Sequence, residues 1–210
     1  MKDKINKILL YLFLAWLPLG LSAQDPEAKV LKKGISVGAQ NQKSQFGGFV
    51  NLAGLEVLDL QTANGSPQDI DFVYTYGQKT KINILTPSSP SMRSFGATYK
   101  DASAEWEQKN RGSLIFVENN KENRKLYRGV KRNKDLEAAY EKAIGAVKEV
   151  SDYKRTIHGP NTRIRALSIG DYFIFRSNDG RGYAMGRIVD YKAGYQGHIR
   201  IDVLATKNKK

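Results

Sequence analysis

The C-terminal part of the sequence, from Arg163 to Thr206, places the strongest constraint on how the chain can fold. Three runs rich in β-branched and aromatic residues, 167–175, 183–191 and 198–204, are separated by turns that contain glycine. In the third run apolar and polar residues alternate, which is the period of two of a half-buried strand. Because Asn, Asp and Gly tolerate the backbone angles of tight reversals, these runs predict a β-meander over residues 163–206.

Upstream of the meander, the sequence predicts more strands than helices. Runs of strand character lie at 35–40, 46–52, 55–60, 70–76, 81–85 and 113–117. Apolar residues of Asn133–Val150 recur at intervals of three and four, which predicts an amphipathic helix, and a shorter helix is expected at 102–109. The apolar face of the long helix has to be buried on a sheet. We therefore expect an α+β fold that is mostly β, an antiparallel sandwich or barrel-like sheet with one covering helix over residues 133–150.

The first 23 residues have the pattern of a secretory signal peptide. Three lysines precede an apolar run from Ile8 to Leu21, and Ala23 supplies the small residue of a cleavage site. An uncleaved membrane anchor is the alternative, but this run falls short of the roughly 20 residues that span a bilayer. The sequence contains no cysteine, so the leader lacks the lipid-modified cysteine of a bacterial lipoprotein. These features predict export to the periplasm, the medium or the cell surface, with no transmembrane segment after cleavage.

The remaining chain has a length that one domain accommodates. Residues 24–33 are polar and rich in lysine, which predicts a flexible arm. Residues 34–206 are expected to form a single β-rich domain with a helical insertion at 121–150, and residues 207–210 a basic tail. Because there are no disulfides, a packed core has to provide the stability.

The chain is strongly basic, with 34 Lys and Arg against 21 Asp and Glu and a net charge of +13. Removal of the leader leaves 31 basic and 20 acidic residues, a net charge of +11. A charge of this size makes polyanions the default electrostatic partner, and outside the cytosol these include anionic glycans and lipopolysaccharide phosphates. The alternative is that the charge serves solubility alone.

The basic residues are dense between positions 121 and 134, where Glu122 is the one acidic residue. Seven cations and one aromatic residue there are candidates for a polyanion-binding site: Lys121, Arg124, Lys125, Tyr127, Arg128, Lys131, Arg132 and Lys134. Cations bind phosphate, sulfate or carboxylate groups, and an aromatic ring offers a stacking face. The alternative is a solvated loop before the helix, since charge runs usually lie on the surface.

No catalytic or metal-binding motif stands out in the sequence. His198, Arg200 and Asp202 lie on one face of the last strand, so His198 could act as a base oriented by Asp202. Polar residues alternate in this way on any solvated strand face, and no partner nucleophile is recognisable. With two histidines and no cysteine, a transition-metal site lacks its usual ligands, so no metal and no cofactor are expected.

Two further sets of residues could form binding sites, but each set also has a purely structural explanation. Asp59, Asp69 and Asp71 could hold a calcium ion, but without a dense run of oxygen ligands a solvent-facing or turn-capping role is favoured. Four tyrosines of the meander could form a platform for a sugar ring: Tyr172, Tyr183, Tyr191 and Tyr195. Because strands are enriched in aromatic residues for packing alone, core and rim positions are the favoured interpretation.

Short strand-and-turn motifs along most of residues 34–204 are similar to those of a known group of proteins. They are Gly34–Asn41 (GISVGAQN), Gly48-Phe49, Ile70–Gly77 (IDFVYTYG), Leu85-Thr86-Pro87, Ile169–Phe175 (IGDYFIF) and Gly197–Ile201 (GHIRI). In these motifs the chain resembles uncharacterised exported proteins of Gram-negative bacteria, many of them lipoproteins. The resemblance implies an exported β-rich fold and transfers no activity or catalytic residue. This chain departs from the lipoprotein versions in lacking a lipidated cysteine.

The sequence as a whole predicts an exported non-enzymatic module of the cell envelope that binds a glycan or a protein partner. One alternative is an electrostatic polyanion binder that uses residues 121–134. Another is an exported hydrolase that uses His198 and Asp202. No specific recognition of nucleic acid is expected.

Overall fold

The computed structural model describes residues 24–41, 45–178 and 182–207. The signal peptide predicted at 1–23 and the basic tail beyond Lys207 lie outside the described residues. The strands are β1 (Leu31–Gly38), β2 (Phe49–Asn51), β3 (Glu56–Leu58), β4 (Phe72–Gly77), β5 (Lys81–Leu85), β6 (Ser113–Val117), β7 (Arg163–Leu167), β8 (Tyr172–Arg176), β9 (Tyr183–Lys192) and β10 (His198–Ala205). The helices are α1 (Leu60–Gly65), α2 (Ala97–Glu105), α3 (Lys121–Gly129), α4 (Asn133–Val147) and α5 (Arg155–His158), with short 3-10 helices at Pro67–Asp69 and Pro90–Ser94.

The strands form two antiparallel sheets of five strands each. Sheet A has the order β1-β10-β9-β8-β6, and sheet B has the order β3-β2-β4-β5-β7. Their inner faces share one apolar core, in which the ring of Phe72 lies 5.4 Å from that of Phe173 and 6.5 Å from that of Phe175. The predicted fold class is confirmed, as a sandwich and not as a closed barrel.

The predicted β-meander is confirmed for β8, β9 and β10, which pair in this order in sheet A. The prediction of one strand over 167–175 is wrong, because the chain turns at Gly170 and crosses between the sheets. Gly170 has a φ of +97°, a conformation that favours glycine. Asp171 closes the turn by accepting a hydrogen bond from the backbone N–H of Ser168 at 2.8 Å. Residues 163–167 pair instead with β5 at the edge of sheet B.

Helices α3 and α4 cover the outer face of sheet A. Leu136, Tyr140 and Val147 of α4 are buried against this sheet, so the predicted covering helix is confirmed, although it ends at Val147 and not at residue 150. Helix α3 packs beside it through Leu126 and Tyr127. The helical insertion expected at 121–150 thus consists of two helices with a short extended link.

The outer face of sheet B has a helical cover of its own, which the sequence did not predict. Tyr99 of α2 and Trp106, which directly follows α2, pack against Phe49 of β2, and Ala63 of α1 belongs to the same buried cluster. A helix was expected at 102–109, but α2 spans Ala97–Glu105, so it begins earlier and ends before Trp106. Helix α2 also lacks a clear apolar stripe. Among the described residues, none of the helices has the length and apolar character needed to cross a bilayer.

Residues 24–33 do not form the flexible arm that their composition suggested. Leu31–Lys33 begin β1 and pair with β10, and the N–H of Val30 donates to the carbonyl of Lys131 at 3.0 Å. The side chain of Asn133, which is buried, donates to backbone carbonyls near both ends of the described chain, each at 2.8 Å. Composition could not predict this attachment, because every partner is distant in sequence.

Candidate functional site

Two cavities flank helix α3 on the outer face of sheet A. The first, which we call the basic groove, has a volume of about 590 Å³. Its lining residues are Lys29, Val30, Lys32, Tyr127, Arg128, Val130, Lys131, Arg132 and Leu204. The second, which we call the α3–α4 cavity, has a volume of about 280 Å³ and lies between the two helices. Helix α3 therefore separates a groove rich in cations from a smaller, mainly apolar cavity.

The basic groove forms where the N-terminal segment runs antiparallel to the link between α3 and α4. Lys29 and Arg132 are opposite each other in an antiparallel bridge, and side chains that are opposite in such a pair extend to the same side. Lys32 is opposite Leu204 in the pairing of β1 with β10. Arg128 extends from the last turn of α3. Cations from two segments that are distant in sequence thus reach one groove.

Among the described residues, Arg132 is the one cation of the groove that forms an ion pair. Its partner is Glu27, which also accepts a hydrogen bond from Nζ of Lys134 at 2.5 Å. The hydrogen bond from Lys134, followed by the charges of both cations, lowers the pKa of Glu27 below its usual value. The other four cations have no carboxylate at ion-pair distance within the described ranges. Of the two cations that are directly opposite each other, Lys29 and Arg132, only Arg132 is compensated by a carboxylate in the described part of the chain.

The backbone at the edge of the groove is fixed by the start of α4. The carboxylate of Asp135 accepts hydrogen bonds from the backbone N–H groups of Lys131 and Arg132, both at 2.8 Å. These two hydrogen bonds lower the pKa of Asp135. A carboxylate in this place also stabilises the N-terminus of the helix. Asp135 therefore positions two residues of the groove without forming an ion pair with their side chains.

Half of the residues predicted for polyanion binding line the groove, namely Tyr127, Arg128, Lys131 and Arg132. The other half do not. Lys134 contacts Glu27, and the guanidinium of Arg124 donates to the side chain of Asn119 at 2.9 Å. Lys121 and Lys125 are exposed elsewhere on α3. The sequence missed Lys29 and Lys32, because no local signal reports that their segment pairs with residues near Arg132.

Tyr127 anchors α3 to the sheet and does not offer a free stacking face. Its ring lies 5.2 Å from that of Tyr172, and its hydroxyl donates to the carbonyl of Asp202 at 3.1 Å. Burial raises the pKa of Tyr127. The aromatic contribution that the sequence predicted is therefore mainly structural, although Tyr127 still forms part of the groove wall.

The polar face of β10 does not assemble a catalytic pair. The rings of His198 and Phe46 pack edge to face, with 4.9 Å between their centroids. Asp202 is four residues further along the same strand, a separation of about 13 Å at the rise of an antiparallel strand. Arg200 is opposite Asp190 in the pairing with β9. His198 is therefore too far from Asp202 for the carboxylate to orient its imidazole.

The aspartates considered for calcium have structural partners. Asp71 is 3% exposed, and it accepts hydrogen bonds from the backbone N–H of Leu52 at 2.7 Å and from Asn110 Nδ2 at 2.8 Å. The solvent-facing role considered for Asp71 is wrong. Asp59 caps α1 by accepting from the backbone N–H of Thr62 at 2.8 Å, which lowers the pKa of Asp59. Within the described ranges, no group of three or more His, Cys, Asp and Glu residues could hold a metal ion.

The four tyrosines of the meander do not form one platform. Tyr172 is buried beneath α3, and Tyr183 lies 5.5 Å from the ring of Tyr140 on the side of α4. Tyr191 packs against the inner core. Tyr195 is 49% exposed at the rim. The interpretation as core and rim residues is confirmed.

Comparison with known proteins identifies a related fold. No family model and no curated protein matches the sequence. Among solved structures, the fold is similar to that of a DUF4466 family protein from Parabacteroides merdae, with a TM-score of 0.52 and 17% sequence identity. The similarity covers 85% of this chain and 54% of that chain, so this chain spans about half the length of its structural neighbour. At this identity the likeness shows the fold alone, and it is consistent with the resemblance to an uncharacterised family.

Proposed function

We propose that this protein is an exported, non-enzymatic binding module of the cell envelope, and that its ligand is an anionic glycan bound in the basic groove. The observation that carries the proposal is the convergence of five cations on one groove of about 590 Å³. The pattern of a signal peptide in residues 1–23 supports a location where anionic glycans are the abundant polyanions.

The electrostatics of the groove favour a multivalent anion. Four of its cations have no ion-pair partner within the described ranges, and Lys29 is directly opposite Arg132. A ligand that carries several sulfate, phosphate or carboxylate groups would pair with several of these cations at once. Arg can bind such groups with two parallel hydrogen bonds, whereas Lys acts as a point charge that adapts to their spacing.

The remaining surface of the groove favours a glycan over single-stranded nucleic acid. Its other lining residues are mainly aliphatic, Val30, Val130 and Leu204. Val130 and Leu204 are almost fully buried, so half-buried Val30 offers the main apolar contact to the C–H face of a sugar ring. Non-specific binding of single-stranded nucleic acid relies on free aromatic faces on which bases stack. Tyr127 is the one aromatic residue of the lining, and it is packed against Tyr172.

A pair of charge-reversal variants tests the proposal. Lys29, Arg128 and Lys131 are changed to Glu in the groove variant, and Lys121, Arg124 and Lys125 in the control variant. All six side chains are exposed, and the two variants change the net charge equally. With a heparin-derived oligosaccharide as the probe, we expect the groove variant to lose affinity about tenfold more than the control, because the loss of local contacts adds to the change in overall charge.

Binding is measured by isothermal titration calorimetry at several salt concentrations. We expect the affinity of the unchanged protein to fall as salt rises, with a shallower dependence for the groove variant. Equal losses in the two variants would mean that net charge and not the groove attracts the probe, which would refute the proposal. Absence of binding to any sulfated, phosphorylated or carboxylated glycan would also refute it.

A further inference from the structure

The α3–α4 cavity has an apolar interior that the packing of the fold leaves open. Val117 of β6 lies beneath it, and Leu126 of α3 contributes one wall. Phe116 of β6 also lines the cavity, although its side chain packs mainly against the inner core. The other wall belongs to α4, with Ala143 and Val147. Protein interiors rarely leave voids larger than a water molecule. A volume of about 280 Å³ is close to the lower end of the range for ligand pockets.

The charged side chains that line the cavity are two glutamates and one lysine. Glu118 and Glu122 line it at the start of α3, and Lys142 of α4 is the one Lys or Arg in the lining. No ion pair joins Lys142 to either glutamate among the described residues. The two glutamates and the lysine therefore sum to a charge of −1, in a protein whose net charge is +13. Across α3, the basic groove has the opposite charge.

His158 adds an aromatic surface to the cavity. Its Nδ1 accepts a hydrogen bond from the backbone N–H of Lys154 at 3.0 Å, which in the neutral ring places the proton on Nε2. The ring stacks on Phe116, with 5.6 Å between centroids and 11° between planes. Tyr153 extends the stack on His158, with 6.1 Å between those centroids. In its neutral form His158 leaves the negative charge of the rim uncompensated.

We propose that the α3–α4 cavity is a binding site for a small organic cation with an apolar body, such as an arylalkyl amine. The apolar body fills the space between α3 and α4, and the ammonium group forms ion pairs with Glu118 and Glu122 at the rim. This site does not depend on the proposed function, because its lining shares no residue with that of the basic groove.

Three probes of similar shape and different charge test the chemistry of this site. They are phenethylamine, 3-phenylpropionate and propylbenzene, titrated against isotope-labelled protein and followed by the amide shifts of β6, α3 and α4. We expect saturable shifts with phenethylamine at millimolar concentration. The double variant Glu118→Gln and Glu122→Gln, in which both changed side chains are exposed, should weaken this binding about tenfold.

A matched pair of variants locates the binding. Ala146 is exposed and lines the cavity, whereas Ala138 is exposed on α4 outside it. We expect Ala146→Phe to abolish binding of phenethylamine and Ala138→Phe to leave it unchanged. Equal or tighter binding of 3-phenylpropionate, binding that survives Ala146→Phe, or no saturable binding of phenethylamine would each overturn the proposal.

Discussion

The outer covers of the two sheets are built differently. On sheet B, Tyr99 and Trp106 are at most 5% exposed, and both rings lie 5.4 Å from that of Phe49. On sheet A, helix α4 is well packed, but α3 has no buried residue and contacts the sheet through Leu126 and Tyr127. Segments with few buried apolar contacts open at low free-energy cost. The cover of sheet B therefore contributes mainly stability, whereas α3 borders the two proposed binding sites, the basic groove and the α3–α4 cavity.

The two covers should differ most in how much stability is lost when one packed side chain of each cover is truncated. Trp106→Ala removes a buried indole, together with its hydrogen bond to Asn64 Oδ1 at 2.8 Å, and should lower the free energy of unfolding by about 3–5 kcal/mol. Leu126→Ala removes a half-buried side chain and should cost about 1 kcal/mol. Urea denaturation measures both values. Similar losses in the two variants would mean that α3 is packed as firmly as the cover of sheet B.

Removing one tyrosine hydroxyl group from each cover should give a smaller difference in the free energy of unfolding. The hydroxyl of Tyr99 is buried and donates to the carbonyl of Tyr74 at 3.1 Å, so Tyr99→Phe should cost about 1–2 kcal/mol. Tyr127→Phe removes the hydrogen bond to Asp202 at a half-buried position and should cost about 1 kcal/mol or less.

Tyr74→Phe provides the matched control for both hydroxyl variants. The hydroxyl of Tyr74 is buried and has no hydrogen-bond partner among the described residues. Its removal should therefore be neutral or stabilising in the same thermal and urea unfolding series. A cost for Tyr74→Phe equal to that for Tyr99→Phe would show that loss of the hydrogen bond does not explain the effect.

The smallest effect concerns pH and the attachment of the N-terminal segment to α4. The folded protein lowers the pKa of Glu27 and of Asp135. Their contribution to stability is therefore complete above the ordinary pKa of these carboxyl groups and is lost as the pH falls through the lowered values. We expect the amide resonance of Val30, whose N–H donates to Lys131, to report local release under acid before global unfolding.

Glu27→Gln tests the assignment of this acid response. The variant should reduce the part of the response that arises from Glu27, and it should also tighten the binding of a polyanionic probe a few-fold, because Arg132 and Lys134 lose a competing carboxylate. An unchanged acid response, together with unchanged affinity, would show that Glu27 neither secures the segment nor limits the charge of the groove.

The features that were predicted from the sequence are those with a local cause. The alternation in β10 and the spacing of Leu136, Tyr140 and Val147 in α4 depend on residues close in sequence. The crossing at Gly170 also has a local signal, a glycine that adopts positive φ, but the apolar residues on both sides concealed the turn. The cover of sheet B left no such pattern, because α2 contacts the sheet through few residues.

The same distinction applies to the candidate site. The charge run that contains Arg128 and Lys131 can be read directly, and these residues do line the groove. Lys29 and Lys32 join them through pairing between the chain ends and the link between the helices, which has no signature in a single sequence. The α3–α4 cavity was not predicted at all, because it arises from how α3 and α4 are spaced on the sheet.

We propose that this protein binds a polyanion in the basic groove. The most direct measurement is a titration of the isotope-labelled protein with a heparin-derived oligosaccharide, followed by backbone amide shifts. Saturable shifts should concentrate at residues 29–32, 127–132 and 204, while α1 and α2 on the opposite face stay unchanged. Shifts spread evenly over all exposed lysines, or concentrated away from the groove, would contradict the claim.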